Sequence, residues 1–407
     1  MRVGLAALAC VSALTLSACD LRLETDPVTF PSPDATAVAR NSLADAEAAV
    51  LAAANEAGAS ADEIASGAAA TAQTHLKVLG GVYVAHPGTT PAPTPGVTPA
   101  PPPTLVEAIH TVRATAEEVA GSTHDADLAF LAHSIDLDWA LRELWATRVA
   151  AKSTADAAAA KASAQASASP TADQPTTEPS ATAPAPLPLP LPGDSGDAPF
   201  PRSDGSAPDS AGSTNFAPSA TTTGLSAEQL STLTLAEDEA RFAYETIAAL
   251  EFGALRESVL ARMRLHAQRS DALASVLTTK SGAAQANAAD PRTPLYQLRD
   301  VNLPDPNSRE TLERSIEIDL GDRYAALLDG ASGADAAWLL NAAFDSYARA
   351  MATPGFTTAD LPTLPGLRVG AATSSASPKP PARASAPASA APASAAPASA
   401  APTPTAG

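Results

Sequence analysis

Between residues 230 and 320 this chain places side chains capable of chemistry where a helix would bury them. Leu230, Leu233, Glu237, Ala240, Tyr244, Ile247 and Glu251 recur every three or four residues, so Glu237 and Tyr244 fall on the apolar stripe of one helix. Leu255, Val259, Arg262, His266, Arg269 and Leu273 form the matching stripe of the next. Counting about 1.5 Å per residue on either side of a turn expected at Gly253, Glu237 and His266 lie within roughly one helical turn of the same depth. Glu317, between Ile316 and Leu320, reaches a similar level from a third helix. A carboxylate, an imidazole, a phenol and a guanidinium inside a bundle are costly unless they answer one another. Glu237, Tyr244, His266 and Glu317 therefore read either as a buried polar network or as a metal or small-ligand cluster.

The donor count favours the first. A di-iron carboxylate centre takes a Glu from each of two helices and a Glu-x-x-His pair from each of the other two. Here the residue three before His266 is Met263, and the expected fourth helix, from Ala334 to Met351, carries only Asp335 and Asp345 as acids and no histidine. Two of the required pairs are broken, which argues against a ferroxidase and for a structural pairing of Glu237 with His266 or an arginine. No cofactor is expected; iron or another divalent metal belongs to the alternative reading. Elsewhere Glu107-Ala108-Ile109-His110 is the one Glu-x-x-His, but Glu107 is already explained as the third residue of a capping box opened by Thr104. His75, His110, His124 and His133 are scattered along the N-terminal half, and Trp139 and Trp145 read as core. Gly-rich phosphate loops, nucleophile elbows and Cys-pair metal motifs are missing.

The elements that must hold these side chains are mapped by proline, which helix interiors reject. Of the 38 prolines none falls in 34–86, 104–169, 219–290 or 307–353, and all four windows are rich in helix formers. Each window breaks once near a glycine (Gly58, Gly121, Gly253, and Gly330 to Gly333) and carries capping signatures: Ser60 to Glu63, Thr104 to Glu107, Ser226 to Gln229 with a Leu225/Leu230 staple, and Asn307 to Glu310. Four windows give four helical hairpins, with period-two strand patterns missing. Connections of about 24 to 28 residues join the first hairpin to the second and the third to the fourth, long enough to run back along a helix as a crossover does. The fold class is therefore all-α, with two four-helix bundles. The expected organisation is a signal over 1–18, a tether over 19–33, an N-terminal bundle over 34–165 with a Pro-rich crossover at 87–103, a disordered linker over 166–224, a second bundle over 225–355, and a disordered Ala/Pro/Ser tail over 356–407. Few contacts are expected between the two bundles.

The second bundle resembles a known family. Ala236-Glu237-Asp238-Glu239-Ala240-Arg241-Phe242-Ala243-Tyr244 and His266-Ala267-Gln268-Arg269-Ser270-Asp271-Ala272-Leu273, followed by Tyr296-Gln297-Leu298, Asp305-Pro306, Leu312 and Glu317, are similar to the actinobacterial ferritin-like domain of unknown function 4439. The resemblance implies a ferritin-like four-helix domain over about 225–355, without an established activity. It departs from the family at Asp238, where a histidine is expected after Glu237, and that weakens an inherited metal site.

The chain's start concerns location. Met1-Arg2, an apolar run from Val3 to Leu16, and Leu16-Ser17-Ala18-Cys19 resemble a bacterial lipoprotein signal whose cysteine is acylated; the run is too short to span a bilayer of about 30 Å as a helix. Cys10 lies inside the signal, so disulfides and thiolate chemistry are not expected of the remainder. A net charge of −19 disfavours nucleic acid and anionic membrane surfaces as partners. These readings combine into a protein anchored through Cys19 at the extracytoplasmic face of the cell membrane. It would act as a non-catalytic binding or scaffolding module toward an unidentified envelope protein or ligand. The alternative is a metal-binding, iron-type oxidoreductase or storage protein with a degenerate ferritin-like site.

Overall fold

The computed structural model describes residues 33–57, 63–83, 102–167, 200–201, 203, 217–282, 290–298 and 302–367. Eight α-helices occupy them: α1 Ala35–Ala57, α2 Glu63–Leu79, α3 Leu105–Ser122, α4 Ala126–Ser167, α5 Ala227–Ala248, α6 Gly253–Ser281, α7 Pro306–Ala326 and α8 Gly333–Ala352. Among the described residues there is no strand. The signal with Cys19, the tether, the Ser60 capping box, nearly all of the crossover, most of the linker and the tail beyond Leu367 lie outside the described residues.

Local sequence sets the helix starts. Thr104 and Ser226 cap α3 and α5 in reciprocal boxes with Glu107 and Gln229, so both partners satisfy backbone N–H groups the helix leaves free. Leu225 and Leu230, the expected staple, are both buried. The start of α7 differs from the expected Asn307 box. Its cap is Asp305, whose carboxylate accepts from the N–H groups of Asn307 and Ser308, with Pro306 behind it. Proline is at home in the first helical position because the N–H it lacks would have no helical partner. The α3–α4 break also falls slightly later than Gly121, at Thr123 to Asp125, where the Asp125 carboxylate caps the N–H of Leu128.

Packing follows the hairpins. In the N-terminal half α2 and α3 pack against α1, and α4 against α3; in the C-terminal half α5 pairs with α6, α7 with α8, and α5 with α7. The halves are not separate bodies on a string. Residues Leu131 to Leu141 of α4 are buried almost without interruption, because this stretch is apolar on both sides. Leu131, Ile135 and Trp139 belong to the N-terminal core, while Leu137, Ala140 and Leu141 belong to the core formed with α5 to α8. A helix that is hydrophobic all round must be covered all round, and α8 covers the side of α4 that α3 leaves open.

Two irregular segments bridge the halves as well. The Phe200 N–H donates to Asn341 Oδ1 at 2.7 Å and its ring meets Phe344 edge-on at 5.6 Å, while Arg113 of α3 donates to the Pro201 carbonyl at 2.7 Å. After α8 the chain crosses from the C-terminal core, where Phe356 and Leu361 are buried, to the N-terminal core, where Leu364 is fully enclosed.

Candidate functional site

The stripes of α5 and α6 turn inward and meet α7 and α8. On α5, Leu230, Leu233, Glu237, Ala240, Tyr244 and Ile247 are all buried; the helix ends at Ala248, so Glu251 lies past it and pairs with Arg309 instead. On α6, Val259, Arg262, His266, Arg269 and Leu273 are buried, but Leu255, one turn earlier, is 54% exposed. The inner stripe therefore begins at Val259.

The structure brings Glu237, Tyr244, His266 and Glu317 into one cluster. His266 is its pivot: Nδ1 lies 2.6 Å from Glu237 Oε2 and Nε2 lies 3.3 Å from Glu317 Oε1. The Tyr244 hydroxyl donates to Glu317 Oε1 at 2.8 Å, and its ring stacks on the imidazole at 5.2 Å. Five more groups join them: Arg262 and Arg269 of the α6 stripe, where a guanidinium is expected, and Asp345, Arg349 and Tyr324, which periodicity does not place there. Arg262 grips both oxygens of Glu317 through Nε and Nη2. Asp345 of α8 accepts from Arg262 at 3.2 Å, Arg269 at 2.7 Å and Arg349 at 3.0 Å. Tyr324 of α7 donates its hydroxyl to Glu237 Oε1, from which Arg269 lies 3.6 Å away.

Charge explains why this assembly tolerates burial. Glu237, Glu317 and Asp345 face Arg262, Arg269 and Arg349, and all six are buried, so the carboxylates and guanidiniums balance before His266 is considered. Burial alone would raise the carboxyl of Glu237, yet His266, Arg269 and Tyr324 hold it below the ordinary carboxylate range. For Glu317 burial is likewise outweighed, by Arg262 and His266, and its carboxyl is held far down. Burial pushes the Tyr244 phenol well up, with the charges of Glu317 and Glu313 adding to it. Beside the cluster, burial and the charges of Glu317, Glu251 and Glu310 push the Glu313 carboxyl up to about 7.

This arrangement bears directly on metal binding. Both ring nitrogens of His266 and both oxygens of Glu317 are already engaged by side chains. A cation at Glu317 would have to displace the Arg262 fork, a bidentate charge-assisted contact. Among the described residues no group of three or more His, Cys, Asp or Glu is disposed to hold a metal ion. A recess of about 240 Å³ lies elsewhere, lined by residues including Gly224, Gln229, Asp329 and Asp335.

A second cluster, not anticipated from the sequence, sits in the N-terminal half with related geometry. His75 of α2 places Nδ1 2.6 Å from Glu47 Oε1 on α1 and Nε2 3.0 Å from Asp138 Oδ2 on α4. In both halves a glutamate on the first helix meets Nδ1 of a histidine on the second. Trp139 Nε1 donates to Glu47 at 2.9 Å and Arg142 to Asp138 at 2.7 Å. Trp139 is thus core, and a hydrogen-bonding part of it. Glu47 Oε2 is buried without a partner among the described residues. Burial alone would lower the His75 imidazole, but Asp138 and Glu47 raise it to about 9. The signal in the sequence is Leu43-x-x-Ala46-Glu47, which repeats as Leu233-x-x-Ala236-Glu237. The other histidines do not converge on His75: His110 contacts Glu143 at 3.0 Å, His124 lies exposed in the α3–α4 turn, and burial lowers the His133 imidazole.

Comparisons with protein-family models, with curated proteins and with solved structures each find no match for this chain.

Proposed function

We propose that this is a lipid-anchored protein of the extracytoplasmic face of the cell membrane, held through Cys19. Its C-terminal helices would form a ferritin-like bundle that serves as a non-catalytic binding or scaffolding module for an envelope partner. The observation that carries the non-catalytic part is the Arg262 fork on Glu317. A carboxylate that ligates a redox metal must present lone pairs, whereas Glu317 spends its oxygens on a guanidinium, an imidazole and a phenol. The same histidine–carboxylate pairing at His75 and Glu47 supports a structural use of the motif, since there too both ring nitrogens are committed to acids. No helix among the described residues is long and apolar enough to cross a membrane, which leaves the lipid on Cys19 as the anchor in this reading.

The test is a thermal melt of purified protein, freed of metal by chelation, with and without iron, manganese or zinc. A site that binds metal only when folded raises the melting temperature by mass action. The proposal expects no shift, in the parent or in Glu237→Gln. A reproducible rise of several degrees at near-stoichiometric metal, lost in Glu237→Gln, overturns it in favour of a metal-dependent oxidoreductase or storage role. The partner is sought by crosslinking in the native membrane.

A further inference from the structure

The segment after α8 ties both halves to the His75 cluster. It leaves α8 at Thr353, where Arg314 of α7 donates to the Pro354 carbonyl at 2.7 Å. Phe356 packs at 5.3 Å against Trp145 of α4, and a short 3-10 turn follows at Thr358–Asp360, closed by a Thr357/Asp360 capping box. Leu361 is buried in the C-terminal core; three residues later Leu364 is 0% exposed in the N-terminal one. The Pro365 carbonyl accepts from Ser134 Oγ at 2.7 Å. Gly366, at φ 83°, passes so close to α7 that a Cβ there would stand 2.5 Å from the Ala325 carbonyl oxygen.

Leu364 departs from the rest of the backbone. Its φ of 52° is the one positive value at a non-glycine residue among those described. A leucine in the left-handed region is held there at a cost of about 1–2 kcal/mol, and only while its surroundings insist. What insists is a buried leucine side chain, the hydrogen bond from the Leu364 N–H to Asp138 Oδ2 at 3.2 Å, and the local bond from the Leu367 N–H to the Leu364 carbonyl at 3.0 Å. That oxygen is the one His75 Nε2 meets from the other side.

We infer that Thr353–Leu367 is a latch holding the two helical halves together, with Leu364 as its bolt and Asp138 as its catch, and that the proton on His75 keeps the catch closed. An ionised carboxylate only accepts hydrogen bonds, so satisfying both Glu47 and Asp138 requires an N–H on each ring nitrogen of His75. When the ring loses a proton, a lone pair faces one of two buried carboxylates and the local charge falls by one. The groups facing His75 are Glu47 on α1 and Asp138, Arg142 and Trp139 on α4, with the Leu364 amide beside Asp138. From α8, Tyr347 is close enough for the charge of Asp138 to oppose its ionisation. Only Arg142 in this set is cationic, so the imidazolium balances two carboxylates that one guanidinium cannot. Release lets the strained Leu364 relax and uncovers the N-terminal core pocket it fills.

Sign and window follow from the raised His75 imidazole: the latch is closed below an ordinary histidine pKa and opens as the pH rises through about 9. The experiment is hydrogen exchange read by mass spectrometry on the full chain, from pH 7 to pH 10, corrected for intrinsic rates. Protection of 361–367 is expected to fall at least about tenfold across this range while α5 to α7 keep theirs, as a sub-global opening does. Leu364→Ser should show the open pattern already at pH 7. His75→Gln should remove the pH dependence; if that variant fails to fold, the parent's titration and Leu364→Ser decide alone. Unchanged protection of 361–367 up to pH 10, loss only together with α5 to α7, or a Leu364→Ser protein as protected as the parent overturns the latch.

Discussion

Glu237 and His266 offer the sharpest test of the buried cluster. Glu237→Leu removes the acceptor for His266 Nδ1 at 2.6 Å and for the Tyr324 hydroxyl, and the acid beside Arg269. Breaking a buried ion pair from one side costs about 3–5 kcal/mol, because the surviving charge stays buried without its partner. His266→Leu is milder. Glu237 keeps Tyr324 and Arg269, and Glu317 keeps Arg262 and Tyr244, so the loss is about 2–3 kcal/mol for the hydrogen bonds to charged groups. In the double variant the imidazole is no longer there to be stranded, and the total should fall short of the sum by about 2 kcal/mol, within the range seen for contacting residues. At roughly 2–4 °C per kcal/mol for a domain of this size, Glu237→Leu should melt about 6–20 °C below the parent. The assay is urea unfolding followed by far-ultraviolet circular dichroism on a Cys19→Ser background. Additivity of the two single losses to within about 0.5 kcal/mol would mean that the residues do not sense each other, and would refute the network.

Other expectations are checked more quickly. Gly321→Ala drives a Cβ to 2.8 Å from the Tyr347 ring where α7 and α8 cross, and should cost about 1–3 kcal/mol as overpacking, read as a lowered urea midpoint with unchanged slope. Glu313→Gln should stabilise the protein above about pH 7, because the folded state raises this carboxyl and so opposes its ionisation. The gain should fade as the pH falls through the window below 7 and vanish below an ordinary glutamate pKa; a gain that persists at pH 3.5 would point to a different cause. Glu237, Glu317 and Asp138 have the opposite sign, since their carboxyls are lowered. Their contribution is complete above ordinary carboxyl values and is lost on acidification, which an acid unfolding curve followed by tryptophan fluorescence should show. Cys19→Ser should move the protein from the membrane fraction to the soluble exported fraction or leave it as precursor; a processed Cys19→Ser protein still in the membrane fraction would rule out the lipid anchor.

What the sequence made legible was local. Proline gaps, capping boxes and three-to-four spacing mark hairpins because each is a property of a few consecutive residues. The same spacing places Glu237, His266 and Glu317 at a similar depth, with Tyr244 on the same stripe as Glu237. Arg262 and Arg269 were visible on the α6 stripe, but periodicity does not say which carboxylate an arginine reaches. Asp345 counts in the sequence only as one of two acids on a helix without histidine, and it is the acid on which Arg262, Arg269 and Arg349 converge. The Glu47–His75–Asp138 cluster escaped because its members sit on three helices and Ala-rich neighbours blur the stripe around them. Its clearest trace, Leu-x-x-Ala-Glu at 43–47 and again at 233–237, becomes meaningful only beside a histidine some 28 or 29 residues later.

The joining of the halves was harder to read, and α4 shows why. Leu128, Phe130, Leu131, Ile135, Leu137, Trp139, Leu141, Leu144 and Trp145 go round the helix instead of down one side. Taken one bundle at a time this resembles a noisy amphipathic pattern; physically it signals a helix shared by two cores, since apolar surface on two sides needs cover on both. Leu364 makes the same point from the other end. It lies in a stretch that composition assigns to a tail, yet it is fully enclosed in the N-terminal core. No local signal specifies a contact between Leu364 and Asp138, 226 positions apart. Such a contact is chosen by the two surfaces that helices α4, α7 and α8 leave facing each other once they have folded.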